Sequence, residues 1–269
     1  VSTIVGRVEA DALESIKTKR PDNMDSYDLV LQGLEYAKKG NVMKENTQKA
    51  VELFEKAIEL EPSYARAHAW RACTLSNLAD WEESPDPKIF ENAFESIKLA
   101  LELDSNEPEV HRIMGALKLW HERDHEMARY HFEKARELCP SDVFIISRYA
   151  IMRIYFAEFD KALQELERAK RLDPFSHDLL FGPEAICHYW LDNPEEALKT
   201  FKKVKVKKNY LFYIALANEK SGNNDKASEN LKEAYALTGM DNDSFVGSQP
   251  FKDQELTSKL KSELSNITV

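Results

Sequence analysis

A recurring phrase of small and large apolar residues constrains the fold more than any other feature of this sequence. In each full copy an alanine is followed by a large apolar residue four positions later, an alanine three positions further and a proline five positions after that. Weaker copies begin at Ala93, Ala197 and Ala227. An internal repeat of this kind predicts an array of similar units rather than one central core. The full copies are Ala50, Phe54, Ala57 and Pro62; Ala128, Phe132, Ala135 and Pro140; and Ala162, Leu166, Ala169 and Pro174.

The spacing within the phrase predicts pairs of packed helices. Residues three and four positions apart lie on one face of a helix. Two helices approach closely only where a side chain is small, so alanine recurs at the crossing and the large apolar residue fills the adjoining gap. Proline then ends the second helix, because it cannot donate a hydrogen bond within a helix interior. With only 8 glycines and 10 prolines in 269 residues, turn-rich β architectures and disorder are disfavoured, and we predict an all-α fold.

The phrase resembles the tetratricopeptide repeat (TPR), whose period is about 34 residues. Ala128 and Ala162 are 34 positions apart. In the amphipathic stretch that precedes the phrase, Gly33, Tyr36 and Gly40 lie in the first copy and Gly115 in the third. The resemblance implies an α-solenoid of about six helical hairpins in a right-handed superhelix, with an N-terminal helix and a C-terminal capping helix. The predicted domains are 1–26 for the N-terminal helix and linker, 27–241 for the solenoid and 242–269 for the capping segment. The predicted hairpins span 27–64, 65–107, 108–142, 143–176, 177–208 and 209–241.

Three repeats depart from the pattern. Repeat one has about five extra residues in its inter-helix turn, around residues 42–47, and repeat two has an insertion at 80–88. Repeat five lacks its terminal proline and leads into a lysine-rich stretch at 202–208. We therefore expect the second helix of repeat five to be short or irregular.

The ends of the chain carry a second resemblance. The runs Gly6 to Ala10, Arg20-Pro21 and Asp25 to Asp28 are similar to a junction in bacterial class III adenylate/guanylate cyclase-type proteins. Residues 250–253 (Pro-Phe-Lys-Asp), followed by leucines at 256, 260 and 264, resemble the terminal capping helix of that group. In those proteins a TolB-like α/β domain precedes the repeats.

This second resemblance implies that the chain is the C-terminal regulatory part of a larger bacterial signalling protein. The chain starts at Val1 rather than at a methionine, and we expect it to be a piece of a longer protein. Nothing in it matches a cyclase catalytic domain. A TPR-bearing transcriptional regulator with an upstream DNA-binding domain is an alternative parent.

The charge and cysteine content limit the partners. Lys+Arg 37 against Asp+Glu 47 gives a net charge of −10, which opposes binding to phosphate backbones and anionic membrane surfaces. The cysteines Cys73, Cys139 and Cys187 are scattered, which fits a reducing cytoplasm rather than a disulfide framework. No apolar run approaches the roughly 20 residues of a membrane span. We predict a cytoplasmic protein with neither nucleic acid nor membrane as its partner, and without a cofactor.

The string His121-Glu122-Arg123-Asp124-His125 matches the zinc protease motif H-E-x-x-H. That motif needs both histidines on one continuous helix face. The repeat register instead places His121 at the end of one helix and His125 near the start of the next. We therefore predict helix-end histidines and no metal or catalytic site, and zinc metalloprotease chemistry through His121, Glu122 and His125 is a remote alternative.

The TPR resemblance also predicts a partner-binding groove lined by the first helix of each hairpin. The predicted positions are mostly apolar, which suits an amphipathic helix or an extended peptide anchored by aromatic residues. Two interpretations stay open: these side chains face a partner, or they pack between helices or under the terminal helix. The groove positions are Arg112, Ala116, Leu119, Trp120, Phe144, Ser147, Ile151, Ile154, Tyr155, Ile186, Tyr189 and Trp190.

From these features we predict a non-catalytic interaction and scaffold module. Its partner is a protein or peptide in the groove, or the protein's own upstream domains, and self-association through an open solenoid end is a further possibility. The chain itself is expected not to be an enzyme, although its parent is a class III nucleotide cyclase in the first interpretation.

Overall fold

The computed structural model describes residues 23–39, 43–79, 81, 86–175 and 178–269. Within these ranges the chain forms helices joined by short turns and no β-strand, so the predicted all-α fold is confirmed. The N-terminal helix predicted within residues 1–26 falls mostly on residues 1–22, which lie outside the described residues. No helix in the described part is both long and apolar enough to cross a membrane. The chain divides into two compact units, Val1–Pro140 and Ser141–Val269.

Unit 1 is built from three helical hairpins. The first helix of each hairpin is named helix A and the second helix B, and the two pack against each other. Neighbouring helices A are also in contact, α1 with α3 and α3 with α5. The hairpins are α1 (Met24–Lys39) with α2 (Lys44–Leu60), α3 (Ala65–Ala79) with α4 (Pro87–Leu103), and α5 (Pro108–Leu117) with α6 (His125–Leu138).

Unit 2 has three further hairpins and two terminal helices. Its middle helix A, α9, contacts both α7 and α11. The hairpins are α7 (Val143–Tyr155) with α8 (Phe159–Leu172), α9 (Asp178–Trp190) with α10 (Pro194–Phe201), and α11 (Leu211–Lys220) with α12 (Asn224–Thr238). The terminal helices are α13 (Asn242–Ser248) and α14 (Gln254–Ser265).

The helix crossings confirm the physical meaning of the repeated phrase. Its alanines on the helices B are buried throughout the described hairpins, Ala50, Ala135 and Ala169 among them. A Cβ added at Gly33 would lie 2.6 Å from the Phe54 ring, and one added at Gly115 would lie 2.9 Å from the Phe132 ring. The large residue of the phrase therefore packs directly on the helix A backbone, where only a glycine leaves room for it.

The proline of the phrase follows a common helix ending. Glu61, Cys139 and Asp173 each precede a proline, adopt a non-helical conformation and donate their N–H to the carbonyl of the phrase's second alanine. Asp104 ends α4 in the same way although Ser105 replaces the proline. A residue before proline avoids the helical region, so the proline enforces this helix ending. The ending of α4 shows that the same conformation also forms without a proline.

The third hairpin contains a π-helical turn, Lys118–Glu122, between α5 and α6. Gly115 and Ala128 are 13 positions apart, whereas the equivalent Ala150 and Ala162 are 12 apart. A π-helical turn accommodates one extra residue within a helix. The extra residue of this repeat is thus absorbed at the end of its helix A.

Other departures from the repeat appear as differences in helix length. In repeat five, α10 ends at Phe201, and a 3-10 turn at Lys207–Tyr210 leads into α11, as the missing proline predicts. In repeat one the extra residues do not all lie in the turn, because α2 already begins at Lys44. The first hairpin also begins earlier than residue 27, at Met24, where Asn23 Oδ1 accepts the Asp25 N–H at 2.9 Å.

Candidate functional site

The helices A of unit 2 carry most of the predicted groove positions. We use the name A face for the surface formed there by Tyr155 on α7, Tyr189 and Trp190 on α9, and Tyr213 and Lys220 on α11. These side chains come from three successive hairpins. The ring centroid of Tyr189 lies 5.2 Å from that of Trp190 and 5.5 Å from that of Tyr213, and Tyr155 packs against the same buried cluster. The A face is therefore a continuous aromatic surface with one lysine at its edge.

The predicted groove residues of unit 2 fall into two groups by exposure. Tyr189 is fully buried, and Trp190 is 7% exposed. Ser147 and Ile154 are buried as well, Ile154 in a cluster with residues of α8 and α9. Half-buried positions are Phe144, Ile151, Tyr155 and Ile186.

The chain's own C-terminal segment, residues 249–267, covers the A face. Phe251 is 3% exposed and packs between two rings, 5.2 Å from Tyr155 and 5.3 Å from Trp190. The Lys252 N–H donates to the Tyr155 carbonyl at 2.9 Å. Gln249 Oε1 accepts from the Tyr155 hydroxyl at 3.2 Å. At Tyr155 and Trp190, two of the predicted groove positions, the terminal segment therefore packs over the aromatic rings.

Helix α14 extends this contact with a charged group. Glu263 accepts a hydrogen bond from the Tyr189 hydroxyl and pairs with Lys220 Nζ at 3.3 Å. Lys220 Nζ also lies 4.6 Å above the Tyr189 ring. Burial, together with the negative charge of Glu263, raises the pKa of Tyr189, so this phenol stays a neutral donor. The edge of the A face thus binds a carboxylate.

The preceding helix α13 packs on the last hairpin. Phe245 stacks on Phe212 with ring centroids 4.1 Å apart and lies edge-on to Tyr213 at 5.7 Å. Phe212, Phe245 and Gln249 are contact residues that the sequence reasoning missed. The Pro-Phe pair at 250–251 was the available signal for this covering segment, because an aromatic residue in a connection between helices is expected to pack against a neighbouring helix.

The predicted groove residues of unit 1 have internal partners. Arg112 is buried, donates to Glu109 at 2.7 Å and lies 4.9 Å from the Trp70 ring centroid. Leu119 is fully buried, whereas Ala116 and Trp120 are half-buried. Arg112 therefore serves as a structural cation between α3 and α5.

The histidines of the H-E-x-x-H string lie on different elements. His121 lies in the π-helical turn and its Nε2 is bonded to Ser76 Oγ at 2.7 Å, while His125 is the first residue of α6. Arg123 and Asp124 form the turn between them, so the string makes no continuous helix face. A further histidine of α6, His131, packs against His111, with 2.9 Å between their Nδ1 atoms. In the described part of the chain no three His, Cys, Asp or Glu side chains converge as a metal site.

Comparisons with known proteins agree with this architecture. A sequence model described as the tetratricopeptide repeat matches residues 53–84, which include the end of α2 and the whole of α3. No curated protein matches the sequence.

Several solved structures share the fold. PilW, described as a widely conserved type IV pilus biogenesis factor, is 19% identical with a TM-score of 0.58, over 80% of this chain and 94% of PilW. PilF of Pseudomonas aeruginosa is 18% identical with a TM-score of 0.54, over 88% of this chain and 98% of PilF. A thermophilic TPR protein of Thermus thermophilus is 16% identical with a TM-score of 0.52, over 89% of this chain and 99% of that protein. At these identities the likeness concerns the fold alone, and by fold this chain is a TPR-type helical repeat protein.

Proposed function

We propose that this chain is a non-catalytic scaffold that binds a protein or peptide partner on its helices A. One observation carries the proposal: the A face of unit 2 holds a non-helical piece of polypeptide, residues 249–253, through an aromatic anchor and a main-chain hydrogen bond. Aromatic anchors seated in preformed clefts are the usual source of binding energy in peptide recognition.

We further propose that the scaffold is the C-terminal regulatory part of a larger bacterial signalling protein of the cyclase type. The junction-like runs at residues 6–10, 20–21 and 25–28 support this parent, and a transcriptional regulator is the alternative. Any chemistry then belongs to the upstream domain. We expect this chain alone to show no cyclase turnover with ATP or GTP, and measurable turnover would contradict the division of roles.

The binding function is tested by cross-linking the tagged chain in cells that carry its parent and mapping the cross-links by mass spectrometry. The expected cross-links to a partner protein lie on the helices A. A charge placed at half-buried Ile151 on α7 should reduce capture, whereas one placed at Leu172, an exposed position on helix B α8, should not. Far-UV circular dichroism confirms that Ile151→Glu and Leu172→Glu are equally helical. Equal capture by both variants would contradict a binding site on this face.

A further inference from the structure

We propose that the C-terminal segment is an internal competitor for the A face of unit 2, and that the partner which displaces it carries the same chemistry. That chemistry is an aromatic side chain in an extended stretch, followed by a carboxylate. The proposal rests on the proposed function, because it assigns a regulation to the same binding site.

Residues 249–253 form a non-helical stretch that bends at Lys252. Gln249 and Asp253 are both extended, with φ/ψ of −79°/118° and −90°/117°. Between them Phe251 enters a cleft formed by Tyr155 and Trp190, which belong to successive hairpins. The aromatic side chain is therefore held by the stacked hairpins together and not by its own helix.

The polar contacts reproduce what an extended ligand offers. The carbonyl of Tyr155 lies in the last turn of α7, where helix carbonyls lack a donor within the helix, and Lys252 supplies its N–H at 2.9 Å. The amide oxygen of Gln249 accepts from the hydroxyls of Tyr155 at 3.2 Å and Tyr213 at 3.5 Å. A partner segment therefore has to provide one backbone donor and one amide or carbonyl acceptor beside its aromatic residue.

The carboxylate requirement comes from the edge of the A face. Lys220 Nζ lies 3.3 Å from Glu263 and 3.2 Å from Asp192, and the Tyr189 hydroxyl donates to Glu263. When α14 leaves, a lysine and a buried phenol lose the carboxylate that they share. An acidic side chain on the partner restores both interactions.

The segment is joined to unit 2 through α13 and leaves its own outer side exposed. Helix α13 is anchored independently by the stack of Phe245 on Phe212, so unit 2 keeps a packed end when the segment moves. Residues 252–255 and the outward residues of α14 are exposed, whereas Leu260, Leu264 and Ile267 on the inner side of the segment are buried in the core cluster of unit 2. A partner that displaces the whole segment therefore has to cover these apolar side chains as well. A short tether gives such a segment an effective concentration of about millimolar, which a partner added in trans has to overcome.

The test is competition by a synthetic peptide with the sequence of residues 247–269, labelled with a fluorophore and titrated into the full chain. Phe251→Ala removes the anchor of the tethered segment but leaves the cleft intact. We expect the peptide to bind this variant at least tenfold more tightly than the natural chain. Phe175→Ala, which removes an aromatic residue that is 79% exposed elsewhere in unit 2, is the matched control and should behave like the natural chain.

Equal peptide affinity for the natural chain and Phe251→Ala overturns the proposal, as does absence of binding to Phe251→Ala while its far-UV spectrum remains helical. Adding Tyr155→Ala to the Phe251→Ala chain should abolish binding, and unchanged binding places the peptide elsewhere and also overturns it. If Phe251→Ala does not fold, Gln249→Ala gives the same comparison with a smaller release.

Partner capture separates failure of this regulation from failure of the proposed function. If the natural chain and Phe251→Ala capture the same amount of partner, the competition is contradicted and the scaffold role still holds. When the peptide binds as expected but neither chain captures a partner, the scaffold role fails instead.

Discussion

One residue in the turn between helix A and helix B recurs in a left-handed conformation. Arg123, Ala157, Asp192 and Gly222 have φ values of 56°, 59°, 60° and 73°. The residue that follows Ala157 donates its N–H to the carbonyl of Arg153, which closes the end of helix A. Of these four positions only Gly222 has the residue type that adopts this conformation without a steric cost.

Ala157→Gly is therefore expected to stabilise the protein. A non-glycine residue in the left-handed region costs about 1–2 kcal/mol, part of which glycine returns through its greater freedom in the unfolded chain. We expect a net gain of about 0.5–1 kcal/mol in the free energy of urea unfolding. Gly222→Ala is the converse variant and should lower stability by a similar amount. A lower urea midpoint for Ala157→Gly would contradict the assignment of strain to this turn.

The histidine pair of unit 1 has a defined protonation. His111 Nε2 lies 3.0 Å from the Ser105 carbonyl and donates to it, so His111 Nδ1 accepts from His131 Nδ1. Burial and the neighbouring His111 lower the pKa of His131 to about 4, with Lys118 acting in the same direction. Burial also lowers the pKa of His111, against the opposing charges of Asp104 and Glu137.

Stability should accordingly fall as the pH is lowered below about 6.5. Between the unfolded pKa near 6.5 and the folded value near 4, the unfolded chain binds more protons, so acid favours unfolding. We expect His131 to account for about 2 kcal/mol of lost stability between pH 7 and pH 5 in urea titrations. His131→Gln should flatten the fall of stability with pH. Tyr130→Phe, which removes only the hydroxyl group of an adjacent ring, should leave that fall unchanged. An unchanged slope in His131→Gln would exclude the pair as its source.

At the scale of the element, a helix pair is defined by where its small residues lie. In α12, Ala234 is fully buried against α11, and Ala236, two residues later, is exposed. Because both positions carry alanine in the same helix, the same substitution has the same effect on helix propensity at each. Any difference in stability then comes from the contacts of the new side chain.

Ala234→Leu is expected to lower the free energy of unfolding by about 1–3 kcal/mol, because the added atoms overpack the crossing. Ala236→Leu should change it by less than about 0.5 kcal/mol, since a surface substitution meets only solvent. Urea denaturation followed by circular dichroism measures both variants. The same cost is expected at Ala135 and Ala169, and equal midpoints for Ala234→Leu and Ala236→Leu would contradict the crossing.

The elements were predictable from the sequence wherever the repeated phrase is complete. The Ala–Phe–Ala–Pro spacing located the helices B and their ends, because close approach and proline both act through local geometry. The π-helical turn was missed, although one extra residue between Gly115 and Ala128 signalled an irregularity. Local spacing shows that a residue is inserted, but whether a turn or a helix absorbs it depends on tertiary packing, and Leu119 in the π-helical turn is fully buried.

At the scale of the whole chain, each unit has its own buried clusters. Phe54 packs with Val30 and Ala67 in unit 1, and Phe201 packs with Phe212 and Leu231 in unit 2. In repeat proteins, stability is approximately a sum of nearest-neighbour terms, so a defect acts mostly on adjacent hairpins.

Hydrogen exchange tests this locality. Phe54→Ala removes a fully buried ring and is expected to cost about 3–5 kcal/mol in unit 1. Amides of α1 to α4 should then exchange faster, while those of α11 and α12 keep their protection. Phe201→Ala should give the reverse pattern. Equal acceleration in all helices for either variant would indicate a single cooperative unit.

The candidate site was predictable only in part. Periodicity placed Tyr155, Tyr189 and Trp190 on the helices A, since a helix position follows from local sequence. What covers them depends on contacts between residues far apart in the chain, such as Tyr155 with Phe251, and periodicity carries no information about those. Arg112 was assigned to the groove for the same reason, because its pairing with Glu109 and Trp70 arises from the packing of two hairpins.

The close contact of Gly115 with the Phe132 ring has an evolutionary consequence. A methyl group at position 115 fits only when position 132 carries a smaller side chain, so neither site is free to change alone. Among descendants of this sequence the two positions should therefore covary, with alanine at one accompanied by leucine at the other. The pair Gly33 and Phe54 should covary in the same way, because the same steric contact couples the two positions.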